Sequence, residues 1–139
     1  MGHQLGLEEE QVKNNIFLPD FEIHTTPLEK ISMNSNSIDI TLDDINERRF
    51  KISVKPYQAF RVTCIDCLSS QDYYNEYCYR DGRYHRHILQ IEDSSIIREL
   101  KLGLVDKTAS FLNDARHYVL PLQDILVDIV ATNFILSAT

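Results

Sequence analysis

Residues 48–68 read RRFKISVKPYQAFRVTCIDCL, and the fold class turns on how the two apolar runs in this stretch are used. Phe50, Ile52 and Val54 alternate with Arg49, Lys51, Ser53 and Lys55, which is the two-residue period of a strand with one buried face. KPYQ then interrupts, because Pro56 has no N–H to give a sheet ladder and fixes its own φ. AFRVTCIDCL resumes the period with Phe60, Val62 and Cys64 on the buried side, so the two runs are expected to pair as a hairpin.

On the N-terminal side, SIDITLD sets Ile38, Ile40 and Leu42 against Asp39, Thr41 and Asp43, again a half-buried strand. A competing reading has Thr41 capping a short helix through DDINERR, which leaves residues 41–48 open between helix and strand-turn. TTPLEKISMNSNS reads as a loop on its Pro, Asn and Ser content, and order is expected from IFLPDFEIH onward. On the C-terminal side, YHRHILQIE is a further strand. DSSIIRELKLG supplies an N-cap from Asp93, Ser94 or Ser95, apolar Ile96, Ile97 and Leu100 at helical spacing, and Gly103 as a stop. ARHYVLPLQDILVDIVATNF closes the chain as two strands around PLQD, with Ile125, Val127 and Ile129 alternating inward. The expected fold is α+β: a mainly antiparallel sheet, one helix at about 94–102 packed on a face, and a C-terminal β-hairpin. Residues 1–15 are expected to be a flexible tail or a short, loosely attached helix, and residues 16–139 a single domain.

Composition narrows the function. A chain of 139 residues, 43% hydrophobic, has material for one core and too little for two ordinary domains. Twenty-one acidic residues against 14 basic ones give a net charge of −7, which opposes binding to nucleic acid and to anionic membrane surfaces. The acidity is N-terminal: ten Asp/Glu face two Lys before Arg48, and eleven face twelve Lys/Arg from there on. MGHQLGLEEE has no basic start leading into an apolar run, so a cytoplasmic location is expected. ILVDIVATNFILSA is interrupted by Asp128 and Asn133 and falls short of the roughly 20 apolar residues of a spanning helix. Three cysteines without an export signal read as thiols.

Signatures of chemistry are sparse. Glycines stand at positions 2, 6, 82 and 103, and none forms a phosphate-cradling loop. Neither G-x-S-x-G nor H-E-x-x-H occurs. The metal alternative is Cys64 and Cys67, followed by Cys78, His85 and His87, since thiolates and imidazoles are the ligands zinc prefers. Its difficulty is geometric, because positions i and i+3 of a strand point to opposite faces unless the strand ends between the cysteines. Cys64 then reads as a small buried hydrophobe. His85 and His87, on one strand face, could hold a metal with Asp81 or Asp72 or act as a general base, whereas Cys78 has no further base to activate it. No cofactor and no catalytic residue is expected.

The unusual segment is 73–87, YYNEYCYRDGRYHRH, with five tyrosines, three arginines and two histidines. As core it would need many buried partners for its hydroxyl and guanidinium groups, so it reads as a surface loop or edge. Tyr and Arg dominate interface hot spots, which makes Tyr73, Tyr74, Tyr77, Tyr79, Arg80, Arg83 and Tyr84 the expected protein-contact surface. The competing structural readings are a solvated loop whose tyrosines cover the core edge and a strand pair with aromatic cross-strand contacts. Base stacking on these rings is disfavoured, because Asp72, Glu76 and Asp81 cancel much of the arginine field.

The succession AFRVTCID, ILQIEDSSIIRELKLG and RHYVLPLQDILVDIVA, within residues 37–132, resembles small single-domain bacterial proteins found among toxin-immunity partners. The resemblance assigns no functional residue. It implies a cytoplasmic, non-enzymatic inhibitor that covers a toxin's active surface, and the acidic N-terminal third would suit a basic partner such as a nuclease toxin domain. Exposed sheet edges equally allow a homodimer.

Overall fold

The computed structural model describes residues 13–139. In chain order the strands are β1 (Lys13–Phe17), β2 (Ile23–His24), β3 (Lys30–Met33), β4 (Ile38–Asp44), β5 (Arg49–Val54), β6 (Tyr57–Cys64), β7 (Tyr79–Arg80), β8 (Arg83–Tyr84) and β9 (Ile88–Glu92). The helix α1 (Ser95–Leu102) follows, and β10 (Arg116–Pro121), β11 (Ile125–Ala131) and β12 (Phe134–Ala138) complete the chain. The fold is α+β, with antiparallel pairing throughout and one α-helix among the described residues. No helix among them is long and apolar enough to cross a membrane.

Two five-stranded sheets carry the architecture. The first has the order β1-β9-β10-β11-β6; the second runs β12-β5-β4-β2, with β3 also paired to β4. Their facing sides form the main core. Ile38, Ile40, Leu42, Ile52 and Val54 come from the second sheet, and Ile88, Tyr118, Leu120, Val127, Ile129 and Ala131 from the first. Aromatic rings join the two layers at one end, where Phe134 of β12 lies 4.3 Å from Tyr118 and 5.5 Å from Phe17, centroid to centroid.

The alternation of residues 49–64 assigned strands correctly and their pairing incorrectly. β5 pairs with β4 and β12 in the second sheet, whereas β6 pairs with β11 in the first, so the chain changes sheets at Lys55–Pro56 and no hairpin forms. Val62 is 47% exposed and Cys64 is exposed, because β6 is an edge strand. Periodicity fixes which face of a strand is buried; it does not name the neighbour.

Elsewhere β4 continues to Asp44, and the 41–48 ambiguity resolves as strand then turn. Asp44 Oδ1 accepts from the Asn46 and Arg48 amides, both at 2.9 Å, and Oδ2 accepts from the Arg48 guanidinium. Burial works against its charge, but the bonds from Arg48 and Asn46 outweigh that and hold the carboxyl below its ordinary range. Inside the expected 25–37 loop lies β3, an edge strand with little burial to mark it. β1 starts at Lys13, so strand begins before Ile16; the rest of the expected tail, residues 1–12, lies outside the described residues.

The closing hairpin around PLQD is β10–β11, with Pro121 opposite Leu126. After it the chain crosses to the second sheet as β12. Helix α1 begins at the Ser94 cap, whose hydroxyl accepts the Ile97 amide at 3.2 Å, and ends at Gly103. It packs on the outer face of the first sheet through Ile96, Ile97 and Leu100, beside Val130, Leu112 and Ala115. Because that sheet is covered on both sides, β11 is buried at nearly every position, and its apolar run ILV-IVA needs no alternation. Truncating Ile52 to Ala in the main core is expected to cost about 2–5 kcal/mol, whereas Val62→Ala at the edge costs less than about 1 kcal/mol. Urea unfolding of both variants checks the ranking, and equal losses would contradict the separation of β5 from β6.

Candidate functional site

The other half of the outer face is covered by the tyrosine-rich segment. Two 3₁₀ turns and a small hairpin shape it. The first turn, Ser70–Asp72, carries a capping box between Ser69 and Asp72. The second, Glu76–Cys78, is capped by Asn75, whose Oδ1 accepts the Tyr77 amide at 2.9 Å. Asn75 is buried and also donates from Nδ2 to Asn14 Oδ1 at 2.7 Å, which ties the turn to β1. β7 and β8 are joined by Asp81 and Gly82, at φ 55° and 77°; two successive positive φ values are what a tight hairpin requires, and Asp-Gly is suited to supply them.

These turns sort the side chains into two layers. Tyr73, Cys78 and Tyr84 face inward with Leu68, against Leu89, Ile91, Val119 and Leu126 of the first sheet. The Tyr84 hydroxyl donates to the Tyr73 carbonyl at 2.8 Å, and burial pushes both the Tyr84 phenol and the Cys78 thiol above their ordinary ranges. Tyr74, Tyr77 and Tyr79 face outward, at 42%, 73% and 54% exposed. Tyr74 stacks on Tyr84 at 5.5 Å, and Tyr74 and Tyr77 border a shallow concavity of about 330 Å³ together with Asn14, Ser70 and Gln71. Five of the seven expected contact residues, Tyr74, Tyr77, Tyr79, Arg80 and Arg83, thus have solvent-facing side chains, while Tyr73 and Tyr84 are half-buried in the second core cluster.

One carboxylate organises the basic groups. The largely buried Glu22 accepts from His85 Nδ1 at 3.0 Å, and its oxygens lie 3.8 Å from both the Arg80 and Arg83 guanidinium groups. His85 Nε2 lies 3.2 Å from the Arg80 carbonyl, so both ring nitrogens face acceptors. His87 has the opposite environment. Its Nδ1 donates to the Phe21 carbonyl at 2.9 Å, and Nε2 lies 3.3 Å from the Arg80 guanidinium, which can only donate. Burial chiefly, with Arg80 and His85 adding repulsion, holds the His87 imidazole below its ordinary range despite the Phe21 carbonyl and Glu22. Residues 85–87 are not strand, since β9 starts at Ile88, and both histidines are buried.

The residues of the metal alternative are not brought together. Cys64 and Cys67 are exposed at the end of β6, Cys78 is buried in the second core cluster, and the two imidazoles already have partners at both nitrogens. Among the described residues no group of three or more His, Cys, Asp or Glu side chains could hold a metal ion.

A second polar cluster had no counterpart in the sequence reading. Ser94 Oγ lies 2.7 Å from His117 Nδ1, His117 Nε2 lies 2.7 Å from Asp128 Oδ1, and Arg61 donates to Asp128 Oδ2 from Nε and Nη2 at 3.2 and 3.1 Å. The residue types are those of a serine nucleophile, base and orienting acid. Here, however, the hydroxyl also caps α1, and all three residues are buried at 6% exposure or less. The chain of bonds ties the start of α1 to β10, β11 and β6, and it neutralises a carboxylate inside an apolar face. The one available signal was Asp128 interrupting ILVDIVA; its partners are set by strand register, which that signal does not contain.

No family model, no curated protein and no solved structure matches this chain.

The His87 environment has a pH consequence. Folded His87 resists a proton that the unfolded chain takes up near the ordinary value of about 6.5, so stability is expected to fall as pH drops through that region. His87→Gln can keep a donor and an acceptor in place but cannot titrate. Unfolding midpoints in urea, compared between about pH 7.5 and 5.5, should drop less in the variant than in the wild type; an equal drop would assign the acid sensitivity to other groups.

Proposed function

We propose that this chain is a non-enzymatic protein-binding module, of the type that inhibits a toxin by covering its active surface. The observation that supports this reading best is that Tyr74, Tyr77 and Tyr79 stand exposed on a segment whose backbone is fixed from beneath. Asn75, the packing of Tyr73 and Tyr84 on the first sheet, and the Glu22 cluster pin that segment to the body of the protein. A large amphipathic surface that is already ordered loses little conformational entropy on binding, which is how aromatic paratopes gain affinity. Arg80 and Arg83 flank the tyrosines with side chains 43% and 58% exposed, and each can donate to a partner while keeping its ion pair with Glu22.

The partner is a protein with a basic face, on the net charge of −7, and a cytoplasmic toxin domain meets that description. Titrating such a domain with wild-type protein and with Tyr77→Ala and Tyr79→Ala tests the assignment. Each substitution should weaken binding by at least about 30-fold, the equivalent of a hot spot of about 2 kcal/mol, without shifting the unfolding midpoint. Unchanged affinity in the double variant would remove the tyrosine surface from the interface.

A further inference from the structure

We propose that Cys64 and Cys67 form a redox-active dithiol that closes to a disulfide within a single turn. This rests on neither the tyrosine surface nor the toxin reading. In a continuous strand the two side chains would diverge, but β6 ends at Cys64, and Ile65–Cys67 is a 3₁₀ turn closed by the Leu68 amide on the Ile65 carbonyl at 3.2 Å. Cys64 occupies the N-cap position and Cys67 the third residue of the turn. Side chains three apart in a 3₁₀ helix eclipse one another, which sets the N-cap and the third residue on the same side of the turn.

Ser69 and Asp72 hold those positions in the next turn, where Asp72 Oδ2 accepts the Ser69 amide at 3.2 Å. At Cys64 no side-chain cap bond forms, so the thiol is not engaged by the turn. With Ile65 and Asp66 in 3₁₀ conformation between them, Cys64 and Cys67 are the outer residues of a four-residue turn, which sets their Cα atoms within about 7 Å, close to the span a disulfide bridges. The Ile65 amide donates to the Asp124 carbonyl at 3.0 Å, which anchors the turn to the β10–β11 loop. Both thiols are free and exposed, whereas Cys78 is buried and shielded from exchange.

The oxidant is a small-molecule disulfide. One cysteine thiolate attacks its S–S bond and expels one thiol, leaving a mixed disulfide on the protein; the second cysteine thiolate attacks that mixed bond at the protein sulfur and expels the other thiol. Two electrons and two protons pass in total from the cysteine pair to the oxidant, which leaves as two thiols. The new bond lies between the end of β6 and Leu68, the first residue of the layer beneath the tyrosines.

The test equilibrates full-length wild type, Cys64→Ser and Cys67→Ser with oxidised and reduced glutathione over a range of ratios, followed by acid quenching, alkylation and intact and peptide mass spectrometry. Wild type should convert to a species lighter by two hydrogens, with Cys64 joined to Cys67, Cys78 alkylated after denaturation, and no lasting glutathione adduct. Each single variant should instead retain one glutathione on its remaining turn cysteine. Circular dichroism establishes that the serine variants are folded. Persistent glutathione adducts on wild type, disulfides between chains, or no change at any ratio would each overturn the proposal.

Discussion

The constraint on which the rest of the structure depends is that the β1-β9-β10-β11-β6 sheet presents two apolar faces. Val127, Ile129 and Ala131 of β11 point into the main core, while Leu126 and Val130 point the other way, into the second and third clusters. The second sheet covers the inner face. With only one α-helix among the described residues, and that only eight residues long, the outer face needs another cover. The tyrosine-rich segment supplies it. Its odd composition follows from that double duty, since a short irregular stretch must bury apolar area on one side while its own polar groups are satisfied on the other.

A cover made of separate pieces also explains where the buried charge lies. Asp128 is on the outer face of the first sheet, between Leu126 under the tyrosine segment and Val130 beneath α1. An unpaired carboxylate there would be strongly unfavourable, so Arg61 pairs with it, His117 hydrogen-bonds its other oxygen, and Ser94 extends the chain of bonds to the helix cap. Glu22 plays the equivalent part at the other margin, holding Arg80, Arg83 and His85. Both clusters join elements distant in sequence, and such polar ties fix orientation more sharply than apolar contact does, because their geometry tolerates little rotation.

Legibility in the sequence divides along physical lines. Period and capping are local, so β4, β5, β9, β11 and the Ser94-capped helix could be read directly. Pairing is not local. Phe50, Ile52 and Val54 announce a buried face equally well whether β6 lies beside β5 or in the opposite layer, and Pro56 marks a break in both cases. Edge strands β3 and β12 bury too little to give a strong pattern. At the site, composition identified the segment but could not tell Tyr73 and Tyr84, which point into the second cluster, from Tyr77 and Tyr79, which do not. The Ser94–His117–Asp128 cluster joins positions 23 and 11 residues apart, so no spacing rule would have found it.

The disposition of charge bears on how the proposed surface would recognise a partner. The basic cluster at Arg80 and Arg83 lies within ion-pair distance of Glu22, so much of its field is cancelled inside the chain. Part of the N-terminal acidity is cancelled likewise, with Asp43 paired to Arg49 and Asp44 to Arg48. Long-range attraction to a basic partner would therefore rest on the remaining net charge of the molecule and mainly govern the rate of encounter. Discrimination at contact would fall to the exposed rings, which are uncharged and carried on an anchored backbone. A surface of that kind should hold its partner with little dependence on salt once docked, whereas the approach should slow as ionic strength rises.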